Sequence, residues 1–159
     1  LLVMPFLITA IALAAFLGPS LTNAMIAIGL SAMPIFVRLT RGQVLAVKTE
    51  DYVEGARSVG LGQVDIMLRY ILPNVFAPII VQATLTIATA IIAEASLSFL
   101  GLGQQPPAPS WGSMLNVAKN FPSQAPWMAM WPGVAIFLVV IGFNLLGDGL
   151  RDALDPREA

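Results

Sequence analysis

Four long apolar runs, separated by short polar segments, set the pattern of this chain. A helix that spans a membrane needs about 20 consecutive, mostly apolar residues. The runs approach or exceed this length, and they cover residues 1–17, 24–39, 75–102 and 127–146. The tripeptide Gly18-Pro19-Ser20 breaks the pattern after the first run, and residues 21–23 are predicted to turn the chain. We therefore predict an all-α membrane protein, a polytopic helical bundle with about four transmembrane helices in this stretch.

A polar, charged segment at residues 50–74 lies between the second and third runs. Its apolar positions recur at helical spacing on both sides of Gly60, which predicts two short amphipathic helices. These positions are Tyr52, Val53, Ala56 and Val59 before the glycine, and Val64, Met67, Leu68 and Ile71 after it. Glycine tolerates the backbone conformations of a sharp turn. The segment therefore predicts a compact helical hairpin that docks a partner.

Composition supports a membrane protein and excludes several kinds of chemistry. The chain is 57% hydrophobic and 11% charged, whereas soluble domains average about 25% charged residues. Its net charge of −1 gives no reason to expect a nucleic-acid partner. The chain has no cysteine and no histidine, which excludes thiolate and imidazole metal ligands and Ser-His catalysis. We predict no catalytic residue and no metal site.

The distribution of basic residues predicts the orientation of the chain in the membrane. Five basic residues lie between the second and third runs and two follow the fourth; they are Arg38, Arg41, Lys48, Arg57, Arg69, Arg151 and Arg157. Lys119 alone lies between the third and fourth runs. Because basic residues favour the cytoplasmic side, we predict that residues 40–74 and the C-terminus are cytoplasmic. The proline-rich loop at residues 103–126 then faces outward, with one short helix at residues 113–119.

Polar side chains within the third run are candidates for a transport path. A carboxylate such as Glu94 is costly in hydrocarbon and usually faces a bundle interior or water. It either lines the path or is a structural group, protonated or hydrogen-bonded to Ser96, Ser98 or a neighbouring helix. Three other residues share one helical face, and they also either wet a path or form interhelical hydrogen bonds; they are Gln82, Thr86 and Thr89.

Several motifs resemble those of one transporter family. The residues Glu54-Gly55-Ala56, Gly60 and Ile71-Leu72-Pro73 resemble the EAA loop of permeases from ATP-binding-cassette (ABC) importers. Gly55 stands in place of the first alanine of that pattern, and Tyr70 in place of its usual isoleucine. The segments AEASLSFLGLG, QPPAPSWGSML and FNLLGDGLRDALDPR resemble the peptide/nickel branch of these permeases. The likeness covers nearly the whole chain.

The resemblance implies one transmembrane domain over residues 1–159, with a coupling loop at 48–74 and an extracytoplasmic loop at 103–126. It implies that an ATPase subunit docks on the coupling loop through Glu54, Gly55, Ala56, Gly60, Leu72 and Pro73. The further partners that it implies are a second permease, identical or similar, an extracytoplasmic binding protein and the lipid of the bacterial cytoplasmic membrane. This chain lacks a Walker phosphate loop, so ATP and magnesium would be bound by the ATPase subunit.

The function implied is a non-enzymatic permease that forms half of a path for peptides, with nickel as the nearest competing substrate. A different class is an ion-coupled secondary transporter that uses Glu94, although the inverted repeats expected of such a protein are not evident. Leu1 begins inside an apolar run without the charged segment of a signal peptide. We interpret the chain as an N-terminally truncated fragment whose missing part holds the first transmembrane helices.

Overall fold

The computed structural model describes residues 5–154, and this part of the chain folds into helices joined by turns and loops, without a strand. Six helices follow one another along the chain. They are α1 (Phe6–Leu17), α2 (Leu21–Val47), α3 (Asp51–Ser58), α4 (Gln63–Phe99), α5 (Trp111–Ala118) and α6 (Trp127–Leu154). The predicted fold class, an all-α membrane protein, is confirmed.

Helices α2, α4 and α6 are long and apolar enough to cross a membrane. Even the shortest of them, with 27 residues, is about 40 Å long at 1.5 Å per residue, against a hydrocarbon core of about 30 Å. Three of the four predicted spans are therefore present as spanning helices. The first predicted span, residues 1–17, corresponds to the shorter apolar helix α1, and its residues 1–4 lie outside the described part.

The predicted ends of the spans were wrong in three places within α2 and α6. Residues 21–23 form the first turn of α2 rather than a bend, with Ser20 as the N-cap residue in an extended conformation. Helices α2 and α6 also run past their predicted ends at Leu39 and Leu146. Hydropathy reports which residues favour lipid, but a helix continues into polar sequence until a breaker or a cap ends it.

Helix α4 lies at the centre of the fold and packs against every other spanning helix. Near its C-terminal end it meets α1 and α2 through small side chains, which allow helix backbones to approach closely. This cluster contains Ala10, Ala14, Ala24, Ala27, Ile28, Ala93 and Leu97. Near its N-terminal end, Ile71 and Val75 pack with Val44 and Val47 of α2. Helices α2 and α4 are therefore antiparallel.

Helix α6 packs along the other side of α4, where Gly147 allows a close contact. A Cβ atom on Gly147 would lie 2.7 Å from the Thr84 hydroxyl oxygen and 3.2 Å from Leu85 Cδ2. Phe99 at the end of α4 and Ala129 near the start of α6 line one cleft. The two helices therefore also run antiparallel, which puts α3 and the end of α6 at one end of the bundle, and α5 at the other.

The predicted hairpin of two short helices was wrong in its second arm. The segment after Gly60 does not form a separate helix, because it continues as α4 into the third span. Pro73 should interrupt this helix, since proline lacks an N–H and crowds the carbonyl four residues earlier. A π-helical turn over Met67–Ile71 absorbs the disruption, and the Leu72 N–H donates to the carbonyl of Met67. The apolar face after Gly60 is thus the first part of the spanning helix.

Candidate coupling surface and outer cleft

Helix α3 is a short amphipathic helix whose charges suit its polarity. Asp51 and Glu54 lie in its first turn and Arg57 lies in its last turn. Acidic groups are favourable near the positive N-terminal end of a helix dipole, and basic groups near its negative C-terminal end. Eight residues are too few for a stable isolated helix. Packing against the rest of the protein must therefore stabilise α3.

That packing involves one face of α3 only. Val53 is fully buried and Ala56 is 6% exposed, in a cluster with Ile66, Ile71 and Val75 of α4. Val44 and Val47 of α2, with Tyr70 and Ile79 of α4, pack around this cluster. The short helix is thus fixed to the first turns of α4, in a cluster that the end of α2 also borders.

Gly60 ends α3 in a Schellman motif. Its φ is +79°, in the left-handed region that favours glycine. The Gly60 N–H donates to the carbonyl of Arg57 at 2.9 Å, and the Leu61 N–H donates to the carbonyl of Ala56 at 3.3 Å. These are the two hydrogen bonds that define the motif. Gly60 thus fixes the angle at which the chain leaves α3 for α4.

The predicted coupling residues fall into three groups in the structure. Glu54 and Gly55 are exposed on the outer face of α3, next to the Gly60 turn. Ala56 faces the protein's own core, so the close approach its small side chain allows is to α4. Leu72 and Pro73 are exposed on α4 just after the π turn, and their neighbour Ile71 links them to the buried face of α3.

Gln82, Thr86 and Thr89 form a polar stripe on α4, and these residues satisfy much of their hydrogen bonding within their own helix. The Thr86 hydroxyl donates to the carbonyl of Gln82 at 2.7 Å and accepts from the Gln82 side-chain amide at 3.2 Å. The Thr89 hydroxyl donates to the carbonyl of Thr86 at 2.9 Å. Gln82 and Thr86 are half-buried and Thr89 is exposed. The structure brings these three predicted path residues together on one side of α4.

Glu94 belongs to a hydrogen-bonded chain that ties α4 to the outer loop. The Ser98 hydroxyl donates to Glu94 Oε1 at 2.5 Å and accepts from the backbone N–H of Gln104 at 3.0 Å. Ser96, the other predicted partner, instead donates to the carbonyl of Ile92. Glu94 lies one helical turn before the end of α4 and is not adjacent to the polar stripe.

Two glycines allow the outer loop to lie directly against Ser98. A Cβ atom on Gly103 would overlap the Ser98 side chain, and one on Gly112 would lie 2.7 Å from Ser98 Cβ and overlap the backbone carbonyl of Ala95. Gly112 lies at the start of α5, which Ser110 and Ser113 cap reciprocally. Sequence patterning missed the roles of these glycines, because each depends on a contact between distant segments.

A cleft of about 430 Å³ opens beside Glu94 between the outer loop, α5 and the start of α2. Its lining includes the Gln104 and Ser110 side chains and the apolar surfaces of Leu21, Pro109, Trp111 and Met114. Within residues 5–154 no group of three or more acidic, cysteine or histidine side chains is placed to hold a metal ion.

Known proteins resemble this chain along its whole length. Residues 1–159 match the family described as binding-protein-dependent transport system inner membrane component. The dipeptide transport system permease protein DppC of Alkalihalophilus pseudofirmus is 51% identical over 157 residues, which cover 99% of this chain and 52% of that protein. The glutathione transport system permease protein GsiD of Escherichia coli O1:K1 is 51% identical over 153 residues, which cover 96% of this chain and 50% of that protein.

The chain spans about half the length of the curated relatives that it matches. The matched half contains the three spanning helices, α3 and the outer loop. The described residues hold three helices long and apolar enough to cross a membrane, and the chain belongs to the family of binding-protein-dependent transport system inner membrane components.

Proposed function

We propose that this chain belongs to the transmembrane permease subunit of an ABC importer for peptides, which docks a separate ATPase through α3. The observation that carries the proposal is the two-sided character of α3. One face packs through Val53 and Ala56 into a cluster with α4 that the end of α2 also borders, and the other presents Glu54 and Gly55 to solvent. A short helix built in this way suits the transmission of force from a partner to the membrane.

The mechanism proposed is rigid-body coupling. When the ATPase closes around ATP, it moves α3, and α3 moves α4 because its buried face packs against the first turns of that helix; α2 follows through the cluster that it shares with α4. Bistable packing of spanning helices converts such small displacements into alternating access. Gly60 fixes the exit of the chain from α3, while Leu72 and Pro73 mark the place where α4 changes its hydrogen-bond register. We assign these three residues, with Glu54, Gly55 and Ala56, to coupling.

The orientation proposed has residues 40–74 and the C-terminus in the cytoplasm. The alternating directions of α2, α4 and α6 put α3 and Arg151 at one end of the bundle, where seven of the eight basic residues of the sequence are found or expected. The opposite end carries α5 and the loop at 103–126, where an extracytoplasmic binding protein would deliver the substrate. ATP and magnesium would be held by the partner ATPase.

The path proposed follows α4, through Glu94 near its outer end and the stripe of Gln82, Thr86 and Thr89 further in. A second permease subunit, identical or similar, would complete it. The relatives are named for dipeptide and glutathione transport, which favours peptides over nickel as the substrate class. No residue in this assignment carries out covalent chemistry.

ATP dependence of uptake tests this function directly. The full-length permease, reconstituted with its partner permease, ATPases and binding protein in proteoliposomes, is expected to accumulate a radiolabelled dipeptide only when ATP is inside with the ATPases. A protonophore should leave the rate unchanged. Uptake that requires a proton gradient and proceeds without ATP would instead support an ion-coupled transporter.

A further inference from the structure

Charged side chains are almost absent from the membrane-spanning and outer parts of this sequence. Residues 1–37 and 70–147 contain two of them, Glu94 and Lys119. A lone carboxylate near the end of a spanning helix costs free energy, and such residues usually have a structural or functional purpose. The surroundings of Glu94 and Lys119 therefore indicate what each of these charges does.

Lys119 does not neutralise Glu94. Its ammonium nitrogen lies 5.5 Å from the centre of the Phe99 ring, in cation–π contact. It lines a second cleft, of about 390 Å³, with Phe99 and Leu115, whereas Glu94 lines the cleft with Trp111 and Met114. Within residues 5–154 the single ion pair joins Asp65 and Arg69 at the other end of the bundle.

The structure holds the Glu94 carboxylate at the side of an open cleft. Ser98 donates to Oε1, and Ser98 is itself fixed by the Gln104 N–H and by close contact with Gly103. No hydrogen bond to Oε2 is formed by the described residues. Glu94 is half-buried and lines the cleft, with Oε1 held by Ser98.

We propose that Glu94 binds the protonated amino terminus of a peptide in the outer cleft, a specificity site that rests on the proposed transport function. An ammonium group supplies the missing counter-charge and up to three hydrogen-bond donors. Trp111 lines the same cleft, and an indole ring is a favourable neighbour for an ammonium group. Leu21, Pro109 and Met114 supply apolar contact for peptide side chains. Ser98 acts as a positioning residue for the carboxylate.

The charge of the cleft is tested by thiol chemistry, because this sequence has no cysteine. The Met114→Cys variant of the full transporter, with cysteines elsewhere in the complex replaced, is treated with a cationic trimethylammonium-ethyl and an anionic sulfonatoethyl methanethiosulfonate. The cationic reagent should react faster. A negative charge about 6 Å from the thiol in water speeds the cationic reagent about threefold and slows the anionic reagent about threefold. Adding Glu94→Gln should therefore lower the ratio of the cationic to the anionic rate about tenfold.

A matched control lies on the other face of α5. Leu115→Cys reports on the cleft that contains Lys119, so it should favour the anionic reagent, and Glu94→Gln should leave its ratio of rates unchanged. A Met114→Cys ratio that does not respond to Glu94→Gln would overturn the proposal that a charged Glu94 acts in this cleft.

The ammonium is distinguished from other cations by protection. Dialanine should slow the modification of Met114→Cys, whereas N-acetyl-dialanine and sodium or magnesium ions should not. Protection by the inorganic ions, by both peptides equally, or by neither peptide would contradict an ammonium site. Thiol modification and its protection by dialanine require no ATP. A transporter that shows no such protection but still accumulates dipeptide in an ATP-dependent manner would therefore refute the site and leave the proposed function intact.

Discussion

Replacing Gly60 with proline is expected to abolish ATP-driven uptake while the protein still inserts into the membrane. Proline fixes φ near −65°, whereas Gly60 adopts +79°. The substitution also removes the N–H that donates to the carbonyl of Arg57. Backbone strain of about 1–3 kcal/mol and a lost hydrogen bond of about 1 kcal/mol then oppose the native turn.

A local cost of about 3 kcal/mol lowers the population of the native turn by about a hundredfold. Helix α3 has eight residues, and the Schellman motif at Gly60 is what ends it. We therefore expect the orientation of α3 to be lost with this turn. The spanning helices depend on their own apolar surfaces and are retained. The measurements are dipeptide uptake into proteoliposomes, and ATPase activity with and without loaded binding protein.

Gly62→Ala is the control for this experiment. Gly62 lies two residues further on, has φ of −64° and leaves room for a methyl group, with Asp65 Oδ2 at 3.6 Å from the added Cβ. It should transport at a rate near that of the unmodified protein. Normal uptake by Gly60→Pro would show that the Schellman turn is dispensable and would count against coupling through α3.

Replacing Gly112 with alanine is expected to destabilise the outer end of the protein, although alanine favours helix over glycine by about 1 kcal/mol. The added Cβ overlaps the backbone carbonyl of Ala95 and lies 2.7 Å from Ser98 Cβ. A backbone atom held in a helix cannot move aside as the end of a flexible side chain does. Overpacking of this kind costs about 1–3 kcal/mol or more.

The stability of the purified permease, measured as its unfolding temperature in mild detergent, should therefore fall for Gly112→Ala. Gly133→Ala in α6 is the control, because an added Cβ there meets nothing within 4 Å and causes no overlap. Its unfolding temperature should stay the same or rise, from the gain in helix propensity. Equal temperatures for the two variants would mean that α5 does not pack on α4 through Gly112.

Much of the fold could be predicted because lipid imposes a simple rule on the sequence. A helix must be apolar for about 20 residues to cross the membrane, and this pattern located α2, α4 and α6. The ends of these helices could not be predicted equally well. Helix α2 continues from Leu39 through Gly42 to Val47, and a π turn accommodates Pro73 where a proline would be expected to end α4.

The coupling surface could be predicted only in part, for a related reason. Helical spacing gave the apolar face of α3 and the turn at Gly60, both of which depend on neighbouring residues. The direction of Ala56 could not be predicted, because its small side chain suits contact with a partner as well as with α4. The structure shows that it faces the core.

The outer cleft depends on contacts between segments that are distant in sequence. The pattern Gly101-Leu102-Gly103 repeats Gly60-Leu61-Gly62, and both follow a helix that ends in a Schellman motif. This Gly-Leu-Gly pattern, and the helix end that it predicts, can be recognised from the sequence. The approach of Gly112 to Ser98 and the position of Lys119 away from Glu94 follow only from the packing of α5 against α4.

The central claim, that the exposed face of α3 docks an ATPase, is tested most directly by co-purification of the full-length complex from native membranes in mild detergent. Glu54→Lys reverses a charge on that face without touching its packed side. Asp152→Lys is the matched control, since it reverses an exposed acidic side chain on α6, at the same end of the bundle. We expect the ATPase to remain bound to the unmodified protein and to Asp152→Lys, and to be lost from Glu54→Lys. An ATPase that stays bound to Glu54→Lys at the level of the control would contradict docking on this face.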